Sequence, residues 1–129
     1  MATWEDVRKI ALSFPETVER KPRDFRVKEK MLVWERPLRA ADLAALGDAA
    51  PKGAILGAWV PNLDTKEALI SSRPDVYFTT PHFDGYPAVL IRLKVIKVRE
   101  LRERIEEAWL DRAPKRVLQR YLETAPKRD

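Results

Sequence analysis

Hydrophobic residues at the start of the chain recur with the spacing of one helix face. The stripe consists of Trp4, Val7, Ile10, Ala11 and Phe14. Thr3 precedes it as a candidate N-cap, with Asp6 three residues on in the form of a capping box, and Pro15 ends the pattern. A first helix is therefore predicted, followed by a polar loop over residues 16–24.

Alternating β-branched and aromatic residues predict the strands that follow. Residues 25–27 and 31–34 flank a charged segment of Lys28, Glu29 and Lys30, which favours a β-hairpin with a charged tip. Residues 55–60 form a third predicted strand, in which Gly57 indicates close packing or a bulge.

Helical spacing returns between and after these strands. A short helix rich in Ala and Leu is expected over residues 39–46, ended by Gly47. Another is expected to begin at Asp64, whose spacing to Glu67 has capping-box form, and to end before Pro74. Residues 98–112 and 115–124 each carry a hydrophobic stripe and form the last two predicted helices.

The densest hydrophobic run, residues 76–96, predicts a strand, a tight turn and a long strand. We expect Gly85 to have a positive φ in the turn and Asp84 to accept hydrogen bonds from local backbone N–H groups. Hydrophobic and polar residues alternate toward the end of residues 88–96, so one face of that strand should be buried. This strand is expected to be the central or longest one, with Leu101 and Trp109 packed on it.

The predicted order of elements is α-β-β-(α)-β-α-β-β-α-α. Consecutive strands joined by tight turns favour an antiparallel sheet, so the predicted fold class is α+β, an antiparallel sheet flanked by helices. A length of 129 residues suits one domain, and no repeat or linker divides residues 1–129.

Charge and composition indicate which ligands and which cellular location to expect. Lys and Arg number 25 against 20 acidic residues, a formal charge of +5, which permits contact with phosphates. The chain has no cysteine, and its first residues lack the hydrophobic run of a signal peptide. We therefore expect a cytoplasmic protein without a membrane segment, and a monomer is favoured.

Catalytic chemistry finds little support in the sequence. His82, the single histidine, is two residues from Asp84, and such a pair can serve as general acid and base. This spacing, however, builds no triad with a nucleophile, and a metal site needs three or four convergent ligands. We predict that the protein is not an enzyme and has no metal or cofactor.

One long motif resembles a known family. Residues 77–93 read Tyr-Phe-Thr-Thr-Pro-His-Phe-Asp-Gly-Tyr-Pro-Ala-Val-Leu-Ile-Arg-Leu, which resembles the signature of the MmcQ/YjbR family. The resemblance extends from the first helix to residues 113–116. It implies an architecture similar to secretion-chaperone-like folds and a role in DNA binding, and it supplies no catalytic residues.

Two functional hypotheses remain open. The first is weak DNA binding without sequence specificity, through backbone contacts of exposed cations: Lys28, Lys30, Lys115, Arg116 and Arg120. The alternative is a non-enzymatic module that binds a protein partner or a small ligand at residues 79–87. Its candidate ligand-binding residues are Thr80, His82, Asp84 and Tyr86.

Overall fold

The computed structural model describes residues 1–124, which form a six-stranded sheet with five α-helices. The strands are β1 (Thr17–Glu19), β2 (Asp24–Val27), β3 (Lys30–Glu35), β4 (Ile55–Trp59), β5 (Tyr77–Phe78) and β6 (Ala88–Arg92). The helices are α1 (Trp4–Leu12), α2 (Ala40–Leu46), α3 (Leu63–Ser72), α4 (Val98–Arg112) and α5 (Lys115–Thr124). Short 3₁₀ turns lie at Gly47–Ala49 and Pro81–Phe83.

The strands lie in the order β1-β2-β3-β4-β6-β5, and every neighbouring pair is antiparallel. This confirms the predicted α+β class. One end of the sheet, here called the hairpin end, is where β1, β3 and β6 begin and β2 and β4 end. The register shows this, because Thr17 lies opposite Val27 and Trp59 lies opposite Ala88.

The main core lies between one face of the sheet and helices α1, α4 and α5. Leu101 and Trp109 are fully buried in it, as predicted. The Trp109 indole N–H donates to the Pro15 carbonyl at 3.1 Å, which satisfies the polar atom of this buried ring. The Phe14 ring stacks on Trp109 at 5.6 Å, and the Tyr121 ring of α5 meets it edge-on at 4.8 Å.

A smaller aromatic cluster covers the other face of the sheet. Trp34 lies opposite Gly57, and a Cβ atom built on that glycine would approach the Trp34 ring to 2.5 Å. The close packing predicted at Gly57 is therefore confirmed. The buried residues of this cluster are Ile55, Phe78, Phe83, Ala88 and Leu90.

Strand boundaries differ from the sequence prediction in two places. β1 lies inside the segment predicted as a loop, because three residues with one buried side chain are too short for a recognisable period. β6 ends at Arg92, since the N–H groups of Val95 and Ile96 both donate to the Arg92 carbonyl and turn the chain. The predicted strand to residue 96 is wrong, and so is its predicted place: β6 is next to the edge, and β3 is longer.

Local turn and cap chemistry was predicted more accurately. The capping box of Thr3 and Asp6 is present, and Gly85 has a φ of 81°. The predicted cap at Asp64 is wrong, because α3 begins at Leu63 and Asn62 is its N-cap. The Asn62 side-chain oxygen accepts from the Thr65 N–H at 2.8 Å, which places Asp64 inside the first turn.

Candidate functional site

The loop of residues 79–87, here called the signature loop, joins β5 to β6 at the hairpin end. Lys66 of α3 holds it in place: its side chain is buried, and Nζ donates to the carbonyl oxygens of Phe83 at 2.7 Å and Tyr86 at 2.9 Å. Burial lowers the pKa of Lys66, and the Asp84 carboxylate acts in the opposite direction. The buried Lys66 side chain therefore holds the signature loop through its backbone carbonyls.

Asp84 has a different role from the one predicted. Among residues 1–124, no backbone N–H donates to its carboxylate, so the predicted turn cap is wrong. Asp84 instead acts electrostatically on Lys66, and the two residues line a pocket of about 280 Å³ together with Gly85 and Thr79. The positive φ of Gly85 makes the turn without help from a side chain.

Thr80, near the start of the signature loop, lies in a buried polar cluster. The Arg36 guanidinium pairs with the Asp42 carboxylate at 3.0 Å, and both side chains are almost fully buried. Burial by itself would raise the pKa of Asp42, but the Arg39 N–H, Arg36 and the nearby Thr80 hydroxyl outweigh it, so the pKa is lowered. The Thr80 hydroxyl makes no hydrogen bond of ordinary geometry. Thr80 is 2% exposed, so it is not open to a ligand.

His82 and Tyr86 lie on the outside of the signature loop, in a cleft lined by four rings. This aromatic cleft, with a volume of about 210 Å³, is formed by Trp59, His82, Phe83 and Tyr86. Tyr86 is 55% exposed, and the Arg112 guanidinium lies 4.8 Å from the Trp59 ring centre. The exposed rings of His82 and Tyr86, beside a cation, suit a planar ligand that carries negative charge.

Sequence reasoning found only part of this cleft. It missed Trp59, Phe83 and Arg112, which come from β4, the signature loop and the end of α4. Trp59 carried a weak signal, as a large ring at the end of a predicted strand just before Pro61. Trp59 is far from His82 in the sequence, so only the register shows that Trp59 lies opposite Ala88, next to the signature loop.

The predicted DNA-contacting cations also lie toward the hairpin end. We call Lys28, Lys30, Lys115, Arg116 and Arg120 the basic cluster; all five are exposed. Lys28 pairs with Glu16 at 2.7 Å. The hydrogen bond from Lys28 is the largest influence that lowers the pKa of Glu16, and the charges of Arg116 and Arg120 add to it. The fold therefore brings Lys28, Arg116 and Arg120 together around one carboxylate.

The two other members of the basic cluster are placed by their elements. Lys30 begins β3 opposite Val27, and Lys115 begins α5 directly before Arg116. The structure gives no direct contact between these two lysines and Glu16. They extend the cluster along the hairpin and along the exposed side of α5.

The hairpin tip has an unusual backbone. Lys28 and Glu29 both have positive φ, 47° and 72°, in a two-residue turn that normally takes Asn and Gly. Such strain persists only where surrounding contacts hold it. Here ion pairs hold both residues, from Lys28 to Glu16 and from Glu29 to Arg20. The tip consequently presents Lys28 and Lys30 from a constrained position.

A groove on α4 has the opposite charge. It has a volume of about 460 Å³ and is lined by Pro61, Glu103, Glu106, Glu107, Leu110 and Asp111. Four carboxylates would repel phosphate groups, so this side of α4 is unsuited to nucleic acid. Within residues 1–124 there is no group of three or more residues arranged to hold a metal ion, and no helix is long and apolar enough to cross a membrane.

Comparison with known proteins identifies the family. A family model described as YjbR matches residues 12–111. The chain belongs to the YjbR family. Relatives of this YjbR protein include uncharacterised proteins of Mycobacterium tuberculosis and Mycobacterium bovis, each 54% identical over 125 residues, which cover 95% of this chain and 97% of the relative.

The fold of the YjbR protein also has a solved counterpart. A crystal structure of a Deinococcus radiodurans protein with a DUF419 domain matches it with a TM-score of 0.66 at 16% identity. The match covers 100% of this chain and 94% of that one, and it shows a shared fold. The YjbR match includes the signature loop and the hairpin tip, whereas Arg112 and α5 follow it in sequence.

Proposed function

We propose that this YjbR-family protein binds DNA weakly and without sequence specificity, through phosphate contacts of the basic cluster. The observation that supports this most is the convergence of Lys28, Arg116 and Arg120 around Glu16 at the hairpin end. Lys28 and Arg116 are more than 80 residues apart in the sequence, yet both act on the Glu16 carboxylate.

Charge balance within the cluster supports a phosphate ligand. Glu16 pairs with Lys28 at 2.7 Å, and within residues 1–124 none of the ion pairs involves Lys30, Lys115, Arg116 or Arg120. Long cationic side chains on a hairpin tip and a surface helix can reach phosphates without disturbing the core. The affinity of such a surface falls steeply with salt, since binding releases about one counterion per neutralised phosphate.

The exposed elements of the molecule support binding without sequence specificity. Reading base edges in the major groove requires a helix or a two-stranded ribbon that enters it. The longest helix, α4, exposes carboxylates along its groove, and α5 packs Tyr121 against Trp109. The hairpin of β2 and β3 offers backbone contacts at its tip. We therefore infer contact with phosphates and no readout of bases in a duplex.

A salt titration tests this function. Wild-type protein is titrated into a labelled duplex between about 50 and 200 mM salt, the range over which electrostatic affinity changes most. The variant Lys115→Ala/Arg116→Ala/Arg120→Ala should bind more weakly, and the slope of log K against log salt should fall by roughly 2–3.

The control is a variant that loses the same charge at the opposite end of the sheet. Lys94, Lys97 and Arg99 are exposed and follow β6 away from the hairpin end, so Lys94→Ala/Lys97→Ala/Arg99→Ala should retain most of the affinity. Equal losses in the two variants would mean that only net charge matters and would remove the assignment to the basic cluster. Failure of the wild type to bind duplex or single strands at about 50 mM salt would exclude DNA binding.

A second candidate is non-enzymatic binding of a protein partner or small ligand at the signature loop. The supporting observation is the aromatic cleft, with His82 and Tyr86 accessible on its rim. This candidate predicts a partner whose affinity depends on Tyr86 and is insensitive to the triple replacement in α5. It becomes the preferred function if the salt titration shows no nucleic-acid binding.

A further inference from the structure

We propose that the aromatic cleft receives an unpaired base, so that the protein prefers single-stranded nucleic acid to a duplex. This inference rests on the proposed DNA binding and specifies which form of DNA is bound. Binding of phosphates by the basic cluster gives no role to the cleft, whereas base binding assigns it a ligand. The cleft residues are Trp59, His82, Phe83 and Tyr86.

The dimensions of the cleft suit one planar ring system. Its volume of about 210 Å³ is that of roughly seven water molecules at about 30 Å³ each. Phe83 forms its buried wall, and the His82 ring meets Phe83 nearly perpendicularly with the ring centres 4.8 Å apart. Tyr86, at 55% exposure, presents an accessible ring on the rim of the cleft. A base paired within a duplex has both faces covered and cannot enter such a cleft.

The charge around the cleft favours a ligand that carries negative charge over a cationic ligand. An aromatic cage for a cationic ligand is attractive because the ring faces are free and electron-rich. Here the Arg112 guanidinium already lies over Trp59 at 4.8 Å, and the cleft is lined by no carboxylate from residues 1–124. A positive ligand would therefore be repelled, whereas a base carried on a phosphate backbone would place its negative charge toward the cations.

The cleft and the basic cluster lie at the same end of the sheet. Trp59 ends β4 there, opposite Ala88 at the start of β6, and Lys30 begins β3 there, opposite Val27. Val27 belongs to the main core and Trp59 packs on the aromatic cluster of the other face, so Lys30 and the cleft lie on opposite sides of the sheet. Arg112 is therefore the cation beside the bound base, and neighbouring nucleotides of the same strand would reach the basic cluster around the hairpin end.

Binding of matched single-stranded and duplex probes tests the inference. Wild-type protein is titrated at about 50 mM salt with a labelled single-stranded oligonucleotide, with its duplex and with a mononucleotide. We expect the single strand to bind more tightly than the duplex. Tyr86→Ala should weaken single-strand binding by roughly 5- to 150-fold, the range for loss of one stacked base, and leave duplex binding unchanged.

Tyr86→Phe is the matched control, because it keeps the ring and removes only the hydroxyl. It should bind the single strand like the wild type, and both variants should melt like the wild type, since the side chain is largely exposed. Binding should also quench tryptophan fluorescence, and Trp59→Phe should reduce this quenching while the stacking surface remains.

The possible failures are distinguishable. Equal wild-type affinity for single strand and duplex, or an equal loss on both in Tyr86→Ala, would overturn base binding and leave phosphate binding intact. If the mononucleotide bound more tightly than the oligonucleotide, the conclusion that the cleft binds a base within a nucleic-acid strand would be overturned. Absence of binding to every probe would overturn this inference together with the proposed function.

Discussion

At the scale of single residues, close packing is most demanding where Trp34 crosses Gly57. The indole covers the glycine so closely that a Cβ atom would lie 2.5 Å from two of its ring carbons. A ring of that size cannot withdraw without disturbing Trp59 and Phe83, whose rings lie 6.3 Å from it. The missing side chain of Gly57 thus allows the aromatic cluster to form on this face of the sheet.

Gly57→Ala should destabilise the protein by about 1–3 kcal/mol, the usual range for overpacking in a core. The measurement is the free energy of unfolding from chemical denaturation. Gly85→Ala is a useful comparison, because a Cβ there would meet nothing within 4 Å and only the positive φ of 81° opposes it. Its cost should be about 1–2 kcal/mol. Unchanged stability in Gly57→Ala would contradict the packing described.

At the scale of elements, α3 and the signature loop form one unit through Lys66. The lysine extends from the helix and donates to two loop carbonyls, at 2.7 and 2.9 Å. The same loop contacts Arg36, which directly follows β3 and pairs with Asp42 of α2; its guanidinium lies 5.3 Å from the Phe83 ring centre. Two buried cations, one from α3 and one from the segment after β3, therefore position the loop that carries His82 and Tyr86.

Lys66→Met should loosen the signature loop, since it preserves the aliphatic stem but removes both hydrogen bonds. Amide hydrogen exchange in residues 83–88 should become faster, and global stability should fall by about 1–3 kcal/mol. Lys115→Met, an exposed lysine on α5, serves as the control and should leave loop exchange unchanged. Identical exchange in Lys66→Met and wild type would show that the lysine does not hold the loop.

At the scale of the whole molecule, ion pairs join the helices to the edge of the sheet. Arg8 of α1 donates to both carboxylate oxygens of Glu19 on β1, at 2.9 and 3.0 Å. Glu19 also accepts from the Arg23 N–H at 2.8 Å. The hydrogen bonds from Arg8 and then from Arg23 lower the pKa of Glu19 below its ordinary value of 4.5. The short edge strand is thereby connected to both α1 and the following turn.

Stability should therefore fall in acid, in part through Glu19. The folded state binds this proton less readily than the unfolded state, so the stabilisation is present above about pH 4.5 and is lost as pH falls through the lowered pKa. Glu19→Gln should lower stability at pH 7 and lose less further stability between pH 7 and pH 3. Denaturation curves at both pH values measure this, with Glu123→Gln on the exposed side of α5 as control. Parallel pH dependence in wild type and Glu19→Gln would contradict the role of this carboxylate.

Local chemistry explains what the sequence by itself determined. The capping box of Thr3 and Asp6, the positive φ of Gly85 and the buried stripe with Leu101 and Trp109 depend on residues a few positions apart. Such features were predictable because the interacting groups are close in sequence. The signature motif of residues 77–93 likewise indicates the family from the sequence alone.

Long-range pairing decided the rest. β1 is a strand only because β2 lies beside it. Between β2 and β3 a bulge shifts the register, so that Phe25 pairs with Val33 but Arg26 pairs with Met31, and no alternation in the sequence reveals this shift. The burial of Lys66, the Arg36–Asp42 pair and the meeting of Trp59 with Tyr86 and Arg112 join residues from separate elements. Sequence spacing carries no information on such distances, so the cleft and the basic cluster exist only once the antiparallel register has brought the strand ends together.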